Sequence, residues 1–332
     1  MSSDLPWIEK YRPDHIDGIV SHGRIIKILK GFIDRKTLPH LLFFGPSGSG
    51  KTSTIICCIK EIYGEYVDIM TMKLNASKER GIDTVRNKIK NFVSNMNTVF
   101  LPVEKQDIFK IVILDEIDSM TVEAQGMLRQ TIEKYSRTTR FCLICNEIDK
   151  INVALQSRCT LFRFSPLKAP SILERLKEIC KKEKIAYDKN ALDALVSISN
   201  GDMRVAINML QLIGNKSTAR RIEIDNVYKM SGNCHPKNLT KIIHALEKIS
   251  ENKQTNFEQT VQAVNALMSD NNVTVASLLR EINNYIIKSD MILHKKIYII
   301  NAIAQNEIYD SVSVDSRNII MGIVSAFVLI PA

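Results

Sequence analysis

The chain has 332 residues, 45% of them apolar and 24% charged, with only 13 glycines and 9 prolines. That is globular composition: it excludes collagen-like, low-complexity and disordered classes, and the length suits about two domains or three small ones. Forty-five basic residues against 36 acidic ones leave a net charge of +9 and an isoelectric point near 9.1, which is compatible with a polyanionic partner.

The first part of the chain alternates strand and helix signals. Leu41–Phe44, Ile111–Leu114 and Phe141–Cys145 are continuous apolar runs, the mark of strands buried on both faces of a parallel sheet. Between them, a helix is predicted from Thr52 to Tyr63. A second follows the stripe Ile82, Val85, Ile89, Phe92 and Val93, and a third follows Ala124, Met127, Leu128, Thr131, Ile132 and Tyr135. Two prolines in FRFSPLKAP (162–170) close this α/β part. Helices are then expected over Ser171–Glu183, Asn190–Ser199, Asp202–Leu212 and, briefly, Ile222–Met230. SGNCHPKN (231–238) carries a second break. The remainder reads as helical, ending in a helix near Arg317–Ile330 so apolar all round that it needs a large burying surface.

No apolar run reaches the ~18–20 residues of a membrane span, and the N-terminus lacks a secretory apolar core, so the expectation is an intracellular chain that is not secreted. The seven cysteines are odd in number, and only Cys142 and Cys145 have ligand-like spacing. They lie in the apolar run FCLICN with no second pair, so reduced core thiols are the better reading than zinc.

Chemistry concentrates after the first strand. Gly45-Pro46-Ser47-Gly48-Ser49-Gly50-Lys51-Thr52 fits G-x-x-x-x-G-K-[ST] between a strand and a helix. Such a loop curls consecutive N–H groups and a helix N-terminus onto phosphates. Lys51 is placed to reach the β- and γ-phosphates of a bound nucleotide, and the Thr52 hydroxyl to ligate Mg2+. Asp115 ends the next strand at the edge where sheets of this kind bind ligands, and is expected on the same Mg2+. Glu116 beside it can orient or activate the attacking water. Asp118 suits either this cluster or a helix N-terminus. Asn146 ends the third strand, where an amide either bonds the γ-phosphate or simply terminates the strand.

These residues resemble the small subunits of replication factor C. The likeness runs from Leu5 to about Phe327 through PWIEKYRP (6–13), GPSGSGKT (45–52), LNASKERGIDTVR (74–86), ILDEID (113–118), LRQTIEKYSRTTRF (128–141), QSRC (156–159), FRFSPL (162–167) and GDMRVAINMLQ (201–211). The resemblance implies an α/β AAA+ fold, a P-loop domain with a RecA-like parallel sheet at 1–165. It is followed by an all-α lid at 166–230 and an all-α collar at 231–332 for oligomerisation. It implies a DNA-stimulated ATPase that opens a PCNA-type sliding clamp and loads it onto primer-template DNA. The other expected partners are further large and small replication factor C subunits. By position, Arg158 matches an arginine finger acting on a neighbour's ATP, Arg204 a sensor arginine over the chain's own ATP, and Asn146 the first sensor. Tyr11 and Arg12 match the segment bordering the adenine pocket. Arg80 and Arg86, with Lys90 on the same flank, match the face toward DNA. The implied location is the nucleus, or a cytoplasmic replication factory for a viral chain.

Four departures stand out. Lys78 replaces a usual Asp, Gln130 replaces the second arginine of an LRR pair, His22 stands near a usual Gln, and the phosphate loop departs from GPPGTGKT while keeping Gly45, Gly50, Lys51 and Thr52. Two other readings remain: a non-hydrolysing scaffold subunit of the same assembly, and another AAA+ DNA machine such as a branch-migration helicase or origin initiator.

Overall fold

The computed structural model describes residues 5–78, 82–94, 109–216, 221–251, 257–270, 273–312 and 315–330. The chain begins with α1 (Trp7–Lys10) and α2 (Gly23–Asp34), then β1 (Leu41–Phe44), α3 (Lys51–Tyr63) and α4 (Val67–Met70). Next come β2 (Thr71–Asn75), α5 (Ile82–Ser94), β3 (Lys110–Asp115), α6 (Val122–Tyr135) and β4 (Thr139–Cys145). They are followed by α7 (Val153–Gln156), β5 (Thr160–Arg163), α8 (Ala169–Glu183), β6 (Ala186–Tyr187), α9 (Lys189–Ser199) and α10 (Met203–Lys216). β7 (Arg221–Ile222), α11 (Ile224–Ser231), α12 (Pro236–Glu251), α13 (Phe257–Asp270), α14 (Val275–Lys288), α15 (Leu293–Ser311) and α16 (Ser316–Val328) complete it.

The chain forms two compact units, one of residues 1–183 and 199–208, the other of residues 184–198 and 209–332. In the first, five parallel strands lie in the order β2-β3-β4-β1-β5. The three central strands are the three apolar runs of the sequence, and their side chains are buried on both faces. β2 and β5 escape the periodicity argument because they are edge strands: TMKLN and TLFR interleave polar residues and stay partly exposed.

One face of the sheet packs Phe43, Ile113, Cys142 and Ile144 against Ile55 and Ile59 of α3. The other packs Val112, Leu114, Leu143 and Cys145 against Ile89 of α5 and Leu128 and Ile132 of α6. Cys142 and Cys145 therefore point to opposite faces, as a separation of three along a strand requires. Burial pushes the Cys142 thiol well up and that of Cys145 to about 12, so both are protonated core residues.

In the second unit, the two short strands β6 and β7 pair in parallel. Helices α12 to α16 surround a core that includes Leu246, Leu278, Leu279, Ile282, Ile299, Val324 and Phe327. The strongly apolar α16 packs against α12, α13, α14 and α15, which accounts for its composition. Among the described residues no helix is long and apolar enough to cross a membrane.

Candidate nucleotide site

The site forms within the first unit, where β1, β3 and β4 end at one edge of the sheet. β1 passes directly into the phosphate loop, and α3 starts at Lys51. Gly45 has φ of 141°, and a Cβ there would lie 2.0 Å from the Phe164 carbonyl oxygen, so the loop leaves the strand where only glycine fits. The Ser49 hydroxyl donates to Pro46 O at 2.7 Å and closes the curl.

Lys51 is 7% exposed, and its ammonium donates to Gly45 O at 2.6 Å, Pro46 O at 2.8 Å and Asn146 Oδ1 at 3.0 Å. All three acceptors are neutral, so the positive charge is held inside the loop without being cancelled. Burial lowers the Lys51 pKa, and Asp115 opposes that shift. Such a desolvated cation is suited to a phosphate oxygen.

Thr52 Oγ1 donates to Asp115 Oδ2 at 3.1 Å, which brings two hard oxygens together beside the loop. Oxygen donors of this type fit Mg2+, which prefers one or two protein ligands plus phosphate and water. Asp115 Oδ1 accepts the Glu116 N–H at 3.1 Å, and Glu116 sits in the left-handed region with φ of 57°. That turn leaves its carboxylate exposed at the pocket wall. Asp118 lies in the first turn of a short 3-10 helix, Ile117–Ser119, and its Oδ2 accepts the N–H groups of Asn146 at 2.9 Å and Glu147 at 3.3 Å, fixing the end of β4.

The pocket closes with Tyr11 and Arg12 on one side and Arg204 on another, so the loop from Ser47 to Thr52, Asp115, Glu116, Asn146 and these three residues share one cavity. Tyr11 is buried; its hydroxyl donates to Glu183 at 2.5 Å, and its carbonyl accepts from Arg175 at 2.7 Å. Arg12 pairs with Glu9 at 3.0 Å. His22 lies behind the loop, its Nε2 3.2 Å from Ser49 O and its ring edge-on to Phe164; burial lowers its pKa.

Arg158 stands apart from this cavity. It is exposed, pairs through Nε with Glu133, and donates from Nη1 to Ala154 O at 3.2 Å. Exposed pairs of this kind contribute only ~0–1 kcal/mol, so the guanidinium is readily available to another molecule. Gln125, 2% exposed, braces the same region: its amide donates to Met120 O and Lys150 O and accepts the Asn152 N–H at 2.7 Å. Lys90 is exposed on α5, and Gln130 is exposed on α6. Lys78 is exposed just after β2; Arg80 and the Arg86 side chain lie outside the described residues. The sequence reading missed Asp202, which faces the loop from the start of α10. Its only local signal was an Asp one residue before a helix.

A phosphate loop after β1, a carboxylate at the end of β3 two places along the same sheet, and an arginine from α10 lining the same pocket are the parts of a P-loop ATPase of the AAA+ class. The model for the ATPase family associated with various cellular activities matches residues 41–167, and that for the RFC1-like AAA+ ATPase lid domain matches residues 169–228. A replication factor C small subunit of Acanthamoeba polyphaga mimivirus is 55% identical over 326 residues, covering 98% of this chain and 94% of its own length. Replication factor C subunit 3 of Oryza sativa subsp. japonica is 39% identical, over 97% of this chain and 86% of the relative. The small subunit of Sulfolobus acidocaldarius is 38% identical, over 85% of this chain and 88% of the relative. A Thermotoga maritima RuvB variant superposes with a TM-score of 0.54 at 17% identity, covering 82% of this chain and 91% of its own, a likeness of fold alone. The chain belongs to the replication factor C small-subunit family.

Proposed function

We propose that this chain is an active small subunit of a clamp loader, in which ATP binding and hydrolysis drive the opening of a PCNA-type sliding clamp and its placement on primer-template DNA. It works with large and small replication factor C subunits. The chain divides functionally into an ATPase domain at 1–165, a lid at 166–230 and an oligomerising collar at 231–332. Apolar side chains left exposed on α14 and α15, among them Ile287, Leu293, Ile297 and Ile308, support the last assignment.

The observation that carries this reading is the convergence of Lys51, Asn146, Thr52 and Asp115 within hydrogen-bonding distance at one sheet edge. Lys51 and the loop N–H groups hold the phosphates of ATP. Thr52 and Asp115 would hold Mg2+, which supplies neutralisation of phosphate charge when bound. Glu116 orients the attacking water and receives its proton, and Asn146 aligns the same region. Arg204 closes on the chain's own ATP, while Arg158 projects outward to a neighbour's. A finger of that kind accounts for ~10³–10⁵ in rate, or roughly 4–7 kcal/mol of barrier. Lys90, Arg86 and Arg80 contact the DNA backbone without reading bases. The presence of Lys51, Glu116 and Arg204 together disfavours a non-hydrolysing scaffold. The chain acts where DNA is replicated, in the nucleus or in a viral cytoplasmic factory.

The test is the native mass of the complex that co-purifies with this chain in the presence of ATP. Five chains including one larger, different partner are expected. A ring of six identical chains would overturn the clamp-loader reading in favour of a helicase-type motor.

A further inference from the structure

Asp202 uses its two carboxylate oxygens in two directions. Oδ2 accepts the hydroxyl of Ser47, in the phosphate loop, at 2.8 Å. Oδ1 accepts the backbone N–H groups of Arg204 at 2.8 Å and Val205 at 3.3 Å, which lie in the first turn of α10. A carboxylate there satisfies donors that the helix cannot satisfy itself and faces the positive end of its dipole. Two further observations show how closely the helix start sits on the loop. The Met203 N–H donates to Gly48 O at 3.4 Å. A Cβ on Gly48 would lie 1.8 Å from Asp202 Oδ1, so the carboxylate rests against bare loop backbone.

We propose that Asp202 is a positioning residue that docks the first turn of α10 on the phosphate loop through the Ser47 hydroxyl, and thereby sets where Arg204 stands over the nucleotide. The inference rests on the reading of this pocket as an ATP site closed by Arg204. The geometry gives it a direction. Arg204 is exposed and its backbone is anchored two residues after Asp202. If the anchor slips from the loop, the guanidinium loses its aim, while Lys51, Thr52 and Asp115 keep their own contacts. Ser47 is itself exposed, so shortening its side chain removes the tether without opening the core.

The experiment is a titration of the full chain with a fluorescent ATP analogue, comparing Ser47→Ala, Ser47→Thr, Arg204→Ala and the double variant Ser47→Ala/Arg204→Ala. Ser47→Ala should weaken binding about three- to tenfold, the range for the loss of one ordinary hydrogen bond, because the tether is exposed and acts on the nucleotide only through Arg204. Ser47→Thr, which keeps the hydroxyl, should restore it. In the Arg204→Ala background the Ser47→Ala change should have no further effect, because the tether works only through that arginine. Unchanged affinity in Ser47→Ala overturns the inference, as do additive losses in the double variant, which would mean that Ser47 touches nucleotide directly. Full affinity in Arg204→Ala would take down the reading of the site as well. A loss in Arg204→Ala with none in Ser47→Ala would leave that reading standing and remove only the tether.

Discussion

The Lys51 ammonium and the Asn146 amide oxygen meet at 3.0 Å, although 95 residues separate them in the chain. β1 and β4 are adjacent, with Phe44 in register with Cys145, so the loop after one strand and the residue after the other must lie side by side. On the proposed reading of the site, the amide holds the ammonium where phosphate would enter. Lys51→Ala should therefore lower ATP affinity by about 100-fold or more, since at least two charge-assisted hydrogen bonds are lost. A fluorescent-ATP titration measures it directly, and retained affinity would contradict the site assignment.

Glu116→Gln preserves shape and removes the charge that, in the proposed mechanism, accepts a proton from water. ATP should still bind while turnover in the assembled complex falls by about 10²–10⁴-fold, the usual contribution of a positioned general base. Single-turnover hydrolysis at saturating ATP separates the two effects. Wild-type turnover in this variant would rule Glu116 out of the chemistry.

Arg158 lies away from the chain's own pocket and pairs there with Glu133. Arg158→Ala should leave ATP binding by this chain intact and slow hydrolysis at the adjacent subunit by ~10³-fold or more. Assemblies in which only one subunit carries the variant localise the defect. A loss confined to the variant's own site would falsify the assignment in trans.

Lys90 is exposed on α5, so it can meet DNA phosphates without disturbing the core. Lys90→Glu should weaken DNA stimulation of the ATPase and reduce the slope of log affinity against log salt by about one. Arg80→Glu and Arg86→Glu should act in the same direction. An unaltered salt slope in all three would assign these residues to the solvated surface.

His40 gives the fold an acid limit. Its Nδ1 accepts the Phe141 N–H at 3.2 Å, which requires the neutral ring, and burial followed by the charge of Arg140 lowers its pKa to about 4. The unfolded chain, with the ordinary value near 6.5, binds a proton first as the pH falls. The stabilisation is therefore complete above about pH 6.5 and is lost as the pH falls from there to about 4, on the order of 2–3 kcal/mol for a half-buried group. Urea unfolding at pH 7.5 and pH 4.5 measures the loss. His40→Asn, which keeps an acceptor but cannot titrate there, should reduce it; an equal loss in that variant would assign the acid sensitivity to other groups.

The central sheet was legible because β1, β3 and β4 are buried on both sides and can afford no polar residue within their apolar runs. The edge strands β2 and β5 obey no such rule, and their mixed sequences look like loop until the neighbouring strand supplies the hydrogen bonds. The phosphate loop was legible because its spacing is dictated by local backbone geometry. Asp202 was not, because its partner Ser47 lies 155 residues away and only folding brings them together. Arg158 is a further case: by spacing alone it is an ordinary surface arginine, and its suggested role came from resemblance rather than from a local pattern.

β5 has four residues, Thr160–Arg163, or about 13 Å at ~3.3 Å per residue. Before it stands Cys159, preceded by Arg158; after it comes Phe164, whose carbonyl abuts Gly45 at the root of the phosphate loop. Main-chain hydrogen bonds grip the strand at both ends, from Thr160 to His40 and from Phe164 to Phe44, each at 2.8 Å. Arg158 and the contact that props the root of the phosphate loop thus stand at opposite ends of one short beam clamped to β1. Little slack lies between them, so in the proposed assembly a subunit that leans on its neighbour's nucleotide would do so from the footing on which its own nucleotide rests.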